Sequence, residues 1–328
     1  MKTLLARDPS RLPRFEAPVI VAIGNFDGLH RGHQALLSQM ALLAGRTDSA
    51  RRSGTLVLVS FHPHPAMVLG RAETIPLITS LRQKLELLGR AGVDCLYEMR
   101  FTKELAAKSA EQFLSSVLLD QLRANTLVAG PDITLGCNRV ANAAFISDFL
   151  SSRGCRLIIV PFVGEPGAKI GSRRIRELIG RGELSGLSSL LGRPYILQAR
   201  VVRGDGRGGK ILGFPTANLG PTSQILPAIG VYAGFAQVDG KRYEAVIDVG
   251  VRPTFGRGPV TVETHLLDYN GLDLYGKRIQ VAFLEKIRNE LTFKDISALQ
   301  RQIGSDVDHA RLLLAKTNVK EAWLERYC

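Results

Sequence analysis

The chain has 328 residues, of which 45% are hydrophobic and 22% charged, so a disordered chain is excluded and two folded domains are expected. Its apolar runs are far shorter than the roughly 20 residues of a membrane-spanning helix, and its first residues lack the apolar stretch of a signal peptide. The formal net charge of +13 favours anionic partners, but the basic residues are dispersed rather than clustered in a stripe. We therefore expect a cytoplasmic protein with no membrane or nucleic-acid partner; the oligomeric state is not predicted.

Strands alternate with helices in the first half, which predicts an α/β domain with a parallel sheet. Short apolar runs indicate the strands, and apolar residues three or four positions apart indicate the helices. The predicted strands are Val19–Ile23, Leu56–Phe61, Asp94–Tyr97, Leu127–Ala129 and Arg156–Pro161. The predicted helices contain Leu36, Met40 and Leu43, then Leu81–Leu88 and Ala110–Leu122.

The second half has the pattern of an antiparallel β-barrel or sandwich followed by helices. Asp239-Gly240 is a strong two-residue hairpin signal between two of its strands. The predicted strands are Tyr195–Val202, Gly230–Val238, Lys241–Val249, Val260–Leu267 and Lys277–Leu284. Two terminal helices are predicted, Asp295–Ile303 and Asp306–Ala315. The Gly- and Ser-rich stretch Gly180–Gly192 predicts the boundary, giving domains of residues 1–185 and 186–328.

The first candidate site is the segment GNFDGLHRGHQ, Gly24–Gln34, between a predicted strand and a predicted helix. Free backbone N–H groups and the positive end of the helix dipole favour an anion at such a junction. Glycines allow tight turns and close backbone approach there; they are Gly24, Gly28 and Gly32. His30 and His33 are three residues apart, so both rings can lie on one face and donate to a triphosphate.

The second candidate site is the segment GDGRGGKILGFPTANL, Gly204–Leu219. No Gly-Lys-Ser/Thr follows, so it is not a P-loop. A flexible glycine loop can close on phosphates through backbone N–H groups; its members are Gly204, Gly206, Gly208, Lys210 and Gly213. Thr216 and Asn218 offer the hard oxygen ligands that Mg²⁺ prefers. Glu263 lies in a predicted strand, where taken alone it reads as an outward-facing charge.

These segments together resemble the bacterial bifunctional riboflavin kinase/FMN adenylyltransferase family. His-x-Gly-His within GNFDGLHRGHQ is similar to the nucleotidylyltransferase motif, and FHPHP (Phe61–Pro65) and IGSRRIR (Ile170–Arg176) fit the same family. GFPTAN (Gly213–Asn218) and VETH (Val262–His265) resemble riboflavin kinase. The resemblance covers nearly the whole chain. It implies a Rossmann-like nucleotidylyltransferase domain followed by a riboflavin kinase barrel.

The resemblance also implies the chemistry: riboflavin is phosphorylated to FMN with ATP and Mg²⁺, and FMN is adenylylated to FAD. In the first domain His30 and His33 contact the phosphates, near a loop that also contributes Asn25, Phe26 and Asp27. The leaving pyrophosphate is held by Ser172, Arg174 and Arg176. In the second domain Glu263 is the base for the riboflavin hydroxyl. Asp132 and Arg288 are implied to lie near flavin.

Three departures from the family pattern keep other interpretations open. Gly171 and Arg173 stand where Ser or Thr is usual, and Ile133 and Leu135 replace aromatic residues that stack on flavin. Asp248 replaces an Asn. One alternative is a riboflavin kinase with weak or lost adenylyltransferase activity. Others are a nucleotidylyltransferase for a different phosphate acceptor, which the second domain argues against, and a nucleic-acid-binding relic.

Overall fold

The computed structural model describes residues 2–15, 18–46, 54–164, 170–204, 213–251, 260–271 and 273–317. The chain divides into two compact units. Of the described residues, the first contains those up to 75 and 81–171, and the second contains 76–80 and those from 172 to 317. The proposed limits of the two functional domains, 1–185 and 186–328, stay a prediction.

The first unit is built on a six-stranded parallel sheet in the order β1-β4-β3-β2-β5-β6. Its strands are β1 (Leu4–Ala6), β2 (Val19–Ile23), β3 (Thr55–His62), β4 (Cys95–Arg100), β5 (Thr126–Ala129) and β6 (Arg156–Ile159). The order reverses beside β2, whose neighbours are β3 and β5. In open α/β sheets, ligands bind beyond the carboxyl ends of the strands at such a point.

Helices cover both faces of this sheet and bury two separate apolar clusters against it. Those of the first unit are α1 (Arg31–Leu43), α2 (Pro65–Val68), α3 (Leu81–Arg90), α4 (Lys103–Ala107), α5 (Ala110–Phe113) and α6 (Ala143–Ser151). The predicted helix Ala110–Leu122 is α-helical only in its first turn and continues as a π-helix over Leu114–Gln121. Leu37, Met40 and Leu88 from α1 and α3 fill the cluster on the face of the sheet that carries the first site.

The second unit contains a closed antiparallel barrel in the order β10-β11-β8-β7-β12-β9. Its strands are β7 (Tyr195–Val202), β8 (Ala217–Leu219), β9 (Gly230–Val238), β10 (Lys241–Val251), β11 (Val260–Leu266) and β12 (Arg278–Arg288). Its helices are α7 (Ser172–Arg181), α8 (Leu187–Leu191) and α9 (Ile296–Lys316). Asp239 and Gly240 both have positive φ, at 48° and 81°, so the predicted tight hairpin between β9 and β10 is confirmed.

The prediction of two terminal helices was wrong, because α9 is one continuous helix with Asp295 as its N-cap. Gly304 lowers helix propensity by about 1 kcal/mol, which suggested a break. Tertiary contacts override that cost. Asp306 is buried and accepts hydrogen bonds from Arg288 and Gln302, while Ala310 and Leu314 pack against the barrel.

The short segment 76–80 belongs to the second unit although the residues on either side belong to the first. Leu77 donates its backbone N–H to the carbonyl of Ser223 at 2.9 Å and accepts from the N–H of Ile225 at 2.8 Å. The Gln224 side chain donates to the carbonyl of Ile78 at 3.0 Å. In the described part of the chain, no helix is long and apolar enough to cross a membrane.

Candidate active sites

The loop between β2 and α1 lies at the carboxyl end of β2, where the strand order of the sheet reverses. It begins at Gly24, whose N–H donates to the carbonyl of Val59 on β3 at 3.0 Å. Phe26, Gly28 and Leu29 have φ angles of 48°, 83° and 38°. Two non-glycine residues in the left-handed region so close together are uncommon, and such strain is concentrated at functional sites.

His30 closes this loop as the N-cap of α1. Its Nδ1 accepts a hydrogen bond from the backbone N–H of His33 at 3.3 Å, so in the neutral ring the proton lies on Nε2. The two imidazole rings stack with centroids 3.7 Å apart and planes 18° from parallel. Gly32 makes room for this arrangement, since a Cβ there would lie 3.2 Å from the His30 ring. His-x-Gly-His therefore places a ring N–H donor at a helix N-terminus, where anions bind.

Two buried polar atoms of this segment have no hydrogen-bond partner in the described structure: Asn25 Oδ1 and His33 Nδ1. The pKa of His33 lies well below its usual value of 6.5, because burial and the nearby His30 and Lys84 all disfavour the charged ring. Asp27 is 3% exposed. Asn25, Asp27, His30 and His33 thus share one loop and helix start, and their role in phosphate binding stays a prediction.

Lys84 on α3 also reaches this loop, and the sequence reasoning missed it. Its Nζ donates to the backbone carbonyl of Asn25 at 2.9 Å. Burial lowers the pKa of Lys84, and the carboxylates of Asp27 and Glu98 partly oppose that effect. The sequence does indicate that Lys84 is unusual, because it lies three residues after Leu81 and four before Leu88, on the apolar face of its helix.

The predicted pyrophosphate-binding residues lie on α7, in the second unit. Ser172 is its first residue, Arg174 is exposed, and Arg176 donates from Nε to the carbonyl of Pro76 at 2.9 Å. Arg173 forms an exposed ion pair with Glu177.

Asp132, predicted to lie near flavin, is an exposed residue after β5. The neighbouring Ile133 and Leu135, which replace aromatic residues, are partly buried and pack against the core of the first unit. Leu135 also pairs with Ala141 through backbone hydrogen bonds. In the structure these two aliphatic side chains therefore serve as packing residues.

The second site lies on the barrel, where Glu263 of β11 stands opposite Asn218 of β8 and Asp248 of β10. The hydroxyl of Thr216 donates to Glu263 Oε2 at 3.0 Å. Gly204 packs directly on the Asn218 side chain, since a Cβ there would lie 2.4 Å from its amide nitrogen. Hydroxyl, amide and carboxylate oxygens are a donor set that suits Mg²⁺.

The glycine loop is described only at its ends. Gly213 has a φ of 78°, a conformation that favours glycine. Gly206, Gly208 and Lys210 lie outside the described residues.

His265 is a second residue that the sequence reasoning left without a role. Its Nδ1 lies 2.7 Å from the carbonyl of Pro215, so that nitrogen is the donor. The His265 ring also packs edge-to-face against the ring of Phe214, with the two centroids 5.5 Å apart. His265 therefore fixes the segment that delivers Thr216 to Glu263.

Asp248 shares its surroundings with other carboxylates. Its pKa is raised to about 6, first by burial and then by the nearby Glu290 and Glu263, against the lowering effect of Arg288. A Cβ at Gly250 would lie 2.5 Å from Glu290 Oε1 and 3.2 Å from Asp248 Oδ2, so this glycine lets the two carboxylates approach.

Arg288, predicted to lie near flavin, makes a bidentate ion pair with Asp306 of α9. Its Nε and Nη2 donate to the carboxylate oxygens at 2.7–3.1 Å. The side chains are 18% and 3% exposed, so this pair is largely buried.

Comparison with known proteins assigns a family to each half of the chain. A family model described as FAD synthetase matches residues 12–174, and one described as riboflavin kinase matches residues 191–314. A bifunctional riboflavin kinase/FMN adenylyltransferase of Escherichia coli strain K12 is 35% identical over 89% of this chain and 91% of its own. One of Bacillus subtilis strain 168 is 35% identical over 94% and 97%.

A solved structure also matches nearly the whole chain. It is a Streptococcus pneumoniae protein titled a macrolide-efflux protein, with a TM-score of 0.83 and 28% identity. The match covers 95% of this chain and 99% of that one.

Proposed function

The chain belongs to the family of bifunctional riboflavin kinases/FMN adenylyltransferases, and from this premise we propose which of its residues carry each reaction. The enzyme uses ATP to convert riboflavin to FMN and FMN to FAD. We assign phosphorylation to the barrel face around Glu263 and adenylylation to the loop that ends in His30 and His33. Because both reactions consume ATP, we also propose that the protein works in the cytoplasm.

In the kinase reaction, Glu263 accepts the proton of the riboflavin 5′-hydroxyl as the hydroxyl oxygen attacks the γ-phosphorus of ATP. The bond from that phosphorus to the β,γ-bridging oxygen breaks, and ADP leaves. The observation that carries this assignment is the 3.0 Å hydrogen bond from Thr216 to Glu263, with Asn218 opposite Glu263 in register. Thr216 and Asn218 would hold Mg²⁺, which neutralises phosphate charge when bound.

The glycine loop would cover the ATP phosphates with backbone N–H groups. Its proposed members are Gly204, Gly206, Gly208, Lys210 and Gly213. Gly204 supports this role, because the absence of a Cβ brings its backbone against the side chain of Asn218.

In the adenylyl transfer, a phosphate oxygen of FMN attacks the α-phosphorus of ATP. The bond from that phosphorus to the bridging oxygen breaks, and pyrophosphate leaves. The N-terminus of α1 and the Nε2–H of His30 stabilise the growing negative charge, with His33 stacked behind it. Gly24, Asn25, Phe26, Asp27, Gly28 and Gly32 shape the phosphate loop, and Ser172, Arg174 and Arg176 would hold pyrophosphate. Asp132 and Arg288 are proposed to lie near flavin.

A time course tests the assignment. The purified protein is incubated with riboflavin, ATP and Mg²⁺, and flavins are separated by chromatography. His30→Ala should lower FAD formation by about 10²-fold or more while FMN still forms, since an oxyanion-type donor is lost. Glu263→Gln should lower FMN formation by about 10²–10⁴-fold, since the base is lost, yet leave FAD formation from supplied FMN intact.

Two exposed residues provide matched controls, His309→Ala and Glu285→Gln. Both should behave as the parent enzyme. Full FAD formation by the His30 variant, or full FMN formation by the Glu263 variant, would refute the corresponding residue assignment. FMN without any FAD from the parent enzyme would mean that the departures at Gly171, Arg173, Ile133 and Leu135 have silenced adenylylation.

A further inference from the structure

Lys84 lies at an unusual place for a lysine. It is half-buried on the face of α3 whose leucines pack into the core against α1 and the sheet. Removing an ammonium group from water is costly unless charged or hydrogen-bonding partners compensate. Its position therefore requires an explanation beyond helix stability.

The partners of Lys84 all belong to the first site or lie beside it. Its Nζ donates to the carbonyl of Asn25 at 2.9 Å, directly where β2 passes into the strained loop. Asp27 of the same loop and Glu98 of β4 supply negative charge. Glu98 is itself 7% exposed and paired with Arg7 at 2.7 Å.

We infer that Lys84 is a positioning residue for adenylyl transfer. It fixes the backbone at Asn25, and through the loop it sets the position of His30 and His33 at the start of α1. This inference rests on the assignment of adenylyl transfer to that loop. Two non-glycine residues of the loop, Phe26 and Leu29, hold positive φ, and the hydrogen bond from Lys84 adds to their burial in restraining that conformation.

The charge of Lys84 has a second effect on the same site. The groups that act on His33 are the stacked His30 and, from α3, Lys84. The charge of Lys84 is in turn balanced by Asp27 and by Glu98, which also pairs with Arg7. The positive charge of Lys84 helps to hold the pKa of His33 below 6.5, so that the ring is neutral. Removing this charge should move the pKa of His33 upward, toward that value.

The experiment compares Lys84→Met and Lys84→Arg with Arg82→Met, an exposed position on the same helix. FAD formation from FMN is measured over pH 5.5–8.5, with riboflavin phosphorylation as an internal control. We expect Lys84→Met to lower kcat by about 10²-fold, the cost of misplacing reacting groups by about 1 Å. The acid limb of kcat/KM for ATP should move to higher pH, because that parameter reports the free enzyme.

Lys84→Arg keeps the charge but displaces the donor from the Asn25 carbonyl. It should lower kcat and leave the acid limb where the parent enzyme has it. Arg82→Met should change neither quantity, and riboflavin phosphorylation should continue in all three variants.

A parental kcat in Lys84→Arg overturns the positioning role, and it does so even if Lys84→Met fails to fold. An acid limb that does not move in a folded Lys84→Met overturns the electrostatic role. Full FAD formation by His30→Ala would instead refute the site assignment on which the inference rests, so the two failures are distinguishable.

Discussion

Gly32 lies where the His30 ring folds back over the first turn of α1. Alanine would normally stabilise a helix at this position by about 1 kcal/mol. Here its Cβ would lie 3.2 Å from the His30 ring, so the ring must move. We predict that Gly32→Ala lowers FAD formation by roughly 10-fold or more, through displaced His30 geometry, while riboflavin phosphorylation is unchanged. Steady-state assays with FMN and with riboflavin measure the two rates.

Gly304→Ala is the matched control for that change. Gly304 is also helical, and a Cβ there would meet no described atom within 4 Å. The Gly304→Ala substitution should leave both activities intact and raise the free energy of unfolding by about 0.5–1 kcal/mol. Parental FAD formation by Gly32→Ala would show that the ring needs no such space.

Asp248 gives the barrel a pH-dependent stability. Its folded pKa of about 6 exceeds the usual 3.8, because burial and the neighbouring carboxylates disfavour the charged form. Its contribution to stability is therefore full below pH 3.8 and is lost as the pH rises through 6. We predict that Asp248→Asn stabilises the protein by on the order of 1–3 kcal/mol at pH 8.

Calorimetric unfolding of both proteins at pH 8 and pH 4.5 measures this effect. The advantage of the Asn variant should shrink at the lower pH, where Asp248 is mostly protonated. An equal difference at both pH values would mean that ionisation of Asp248 is not its cause.

Residue patterns of the sequence predicted the residues that are proposed for both sites but not the residues that support them. His30, His33, Thr216 and Glu263 occur in compact motifs, and the structure joins them as those motifs suggest. Lys84 is 51 residues after His33, and its contact with Asn25 exists only because α3 packs against the sheet beside β2. Local spacing places Lys84 on the apolar face of its helix, but it carries no information on which distant residue the side chain contacts.

At the scale of elements, β12 and α9 are joined by the Arg288–Asp306 pair. Asp306 is almost fully buried, and it also accepts from Gln302. We predict that Asp306→Ala destabilises the protein by about 3–5 kcal/mol, because the Arg288 guanidinium would stay buried without its counter-charge. Urea denaturation gives the change in unfolding free energy.

Asp268→Asn is its control, because it removes the charge of the exposed Asp268–Arg311 pair between a barrel turn and the same helix, and because Asn tolerates the φ of 57° at this position. That loss should cost below about 1 kcal/mol. Equal costs for the two variants would contradict the importance of burial.

Strands were predicted within one or two residues where apolar runs end at glycines or polar residues, as for Val19–Ile23 and Tyr195–Val202. The single terminal helix was wrongly predicted as two helices, because the low helix propensity of Gly304 competes with the burial of Asp306, Ala310 and Leu314. Propensity acts locally, whereas that burial depends on a barrel built from distant residues.

At the scale of the whole molecule, the charge of +13 raises the question of nucleic-acid binding. The expectation from the dispersed basic residues is that substrates, rather than nucleic acid, are the anionic partners. We predict that duplex DNA at micromolar concentration inhibits neither reaction at 150 mM NaCl. Flavin formation with and without a 20-base-pair duplex at 50 and 150 mM NaCl measures this. Inhibition that falls steeply with salt would reveal counterion release and a true nucleic-acid site.

The segment 76–80 limits how the two units of this enzyme can be expressed separately. A fragment that begins at residue 172 would leave the carbonyl of Ser223 and the N–H of Ile225 without their hydrogen-bond partners on Leu77. A backbone group that loses its partner costs free energy unless water replaces it. A fragment of the kinase half, whether it is expressed alone or exchanged between relatives, therefore has to include residues 76–80. No single cut in the chain separates the two compact units, because the second includes residues 76–80.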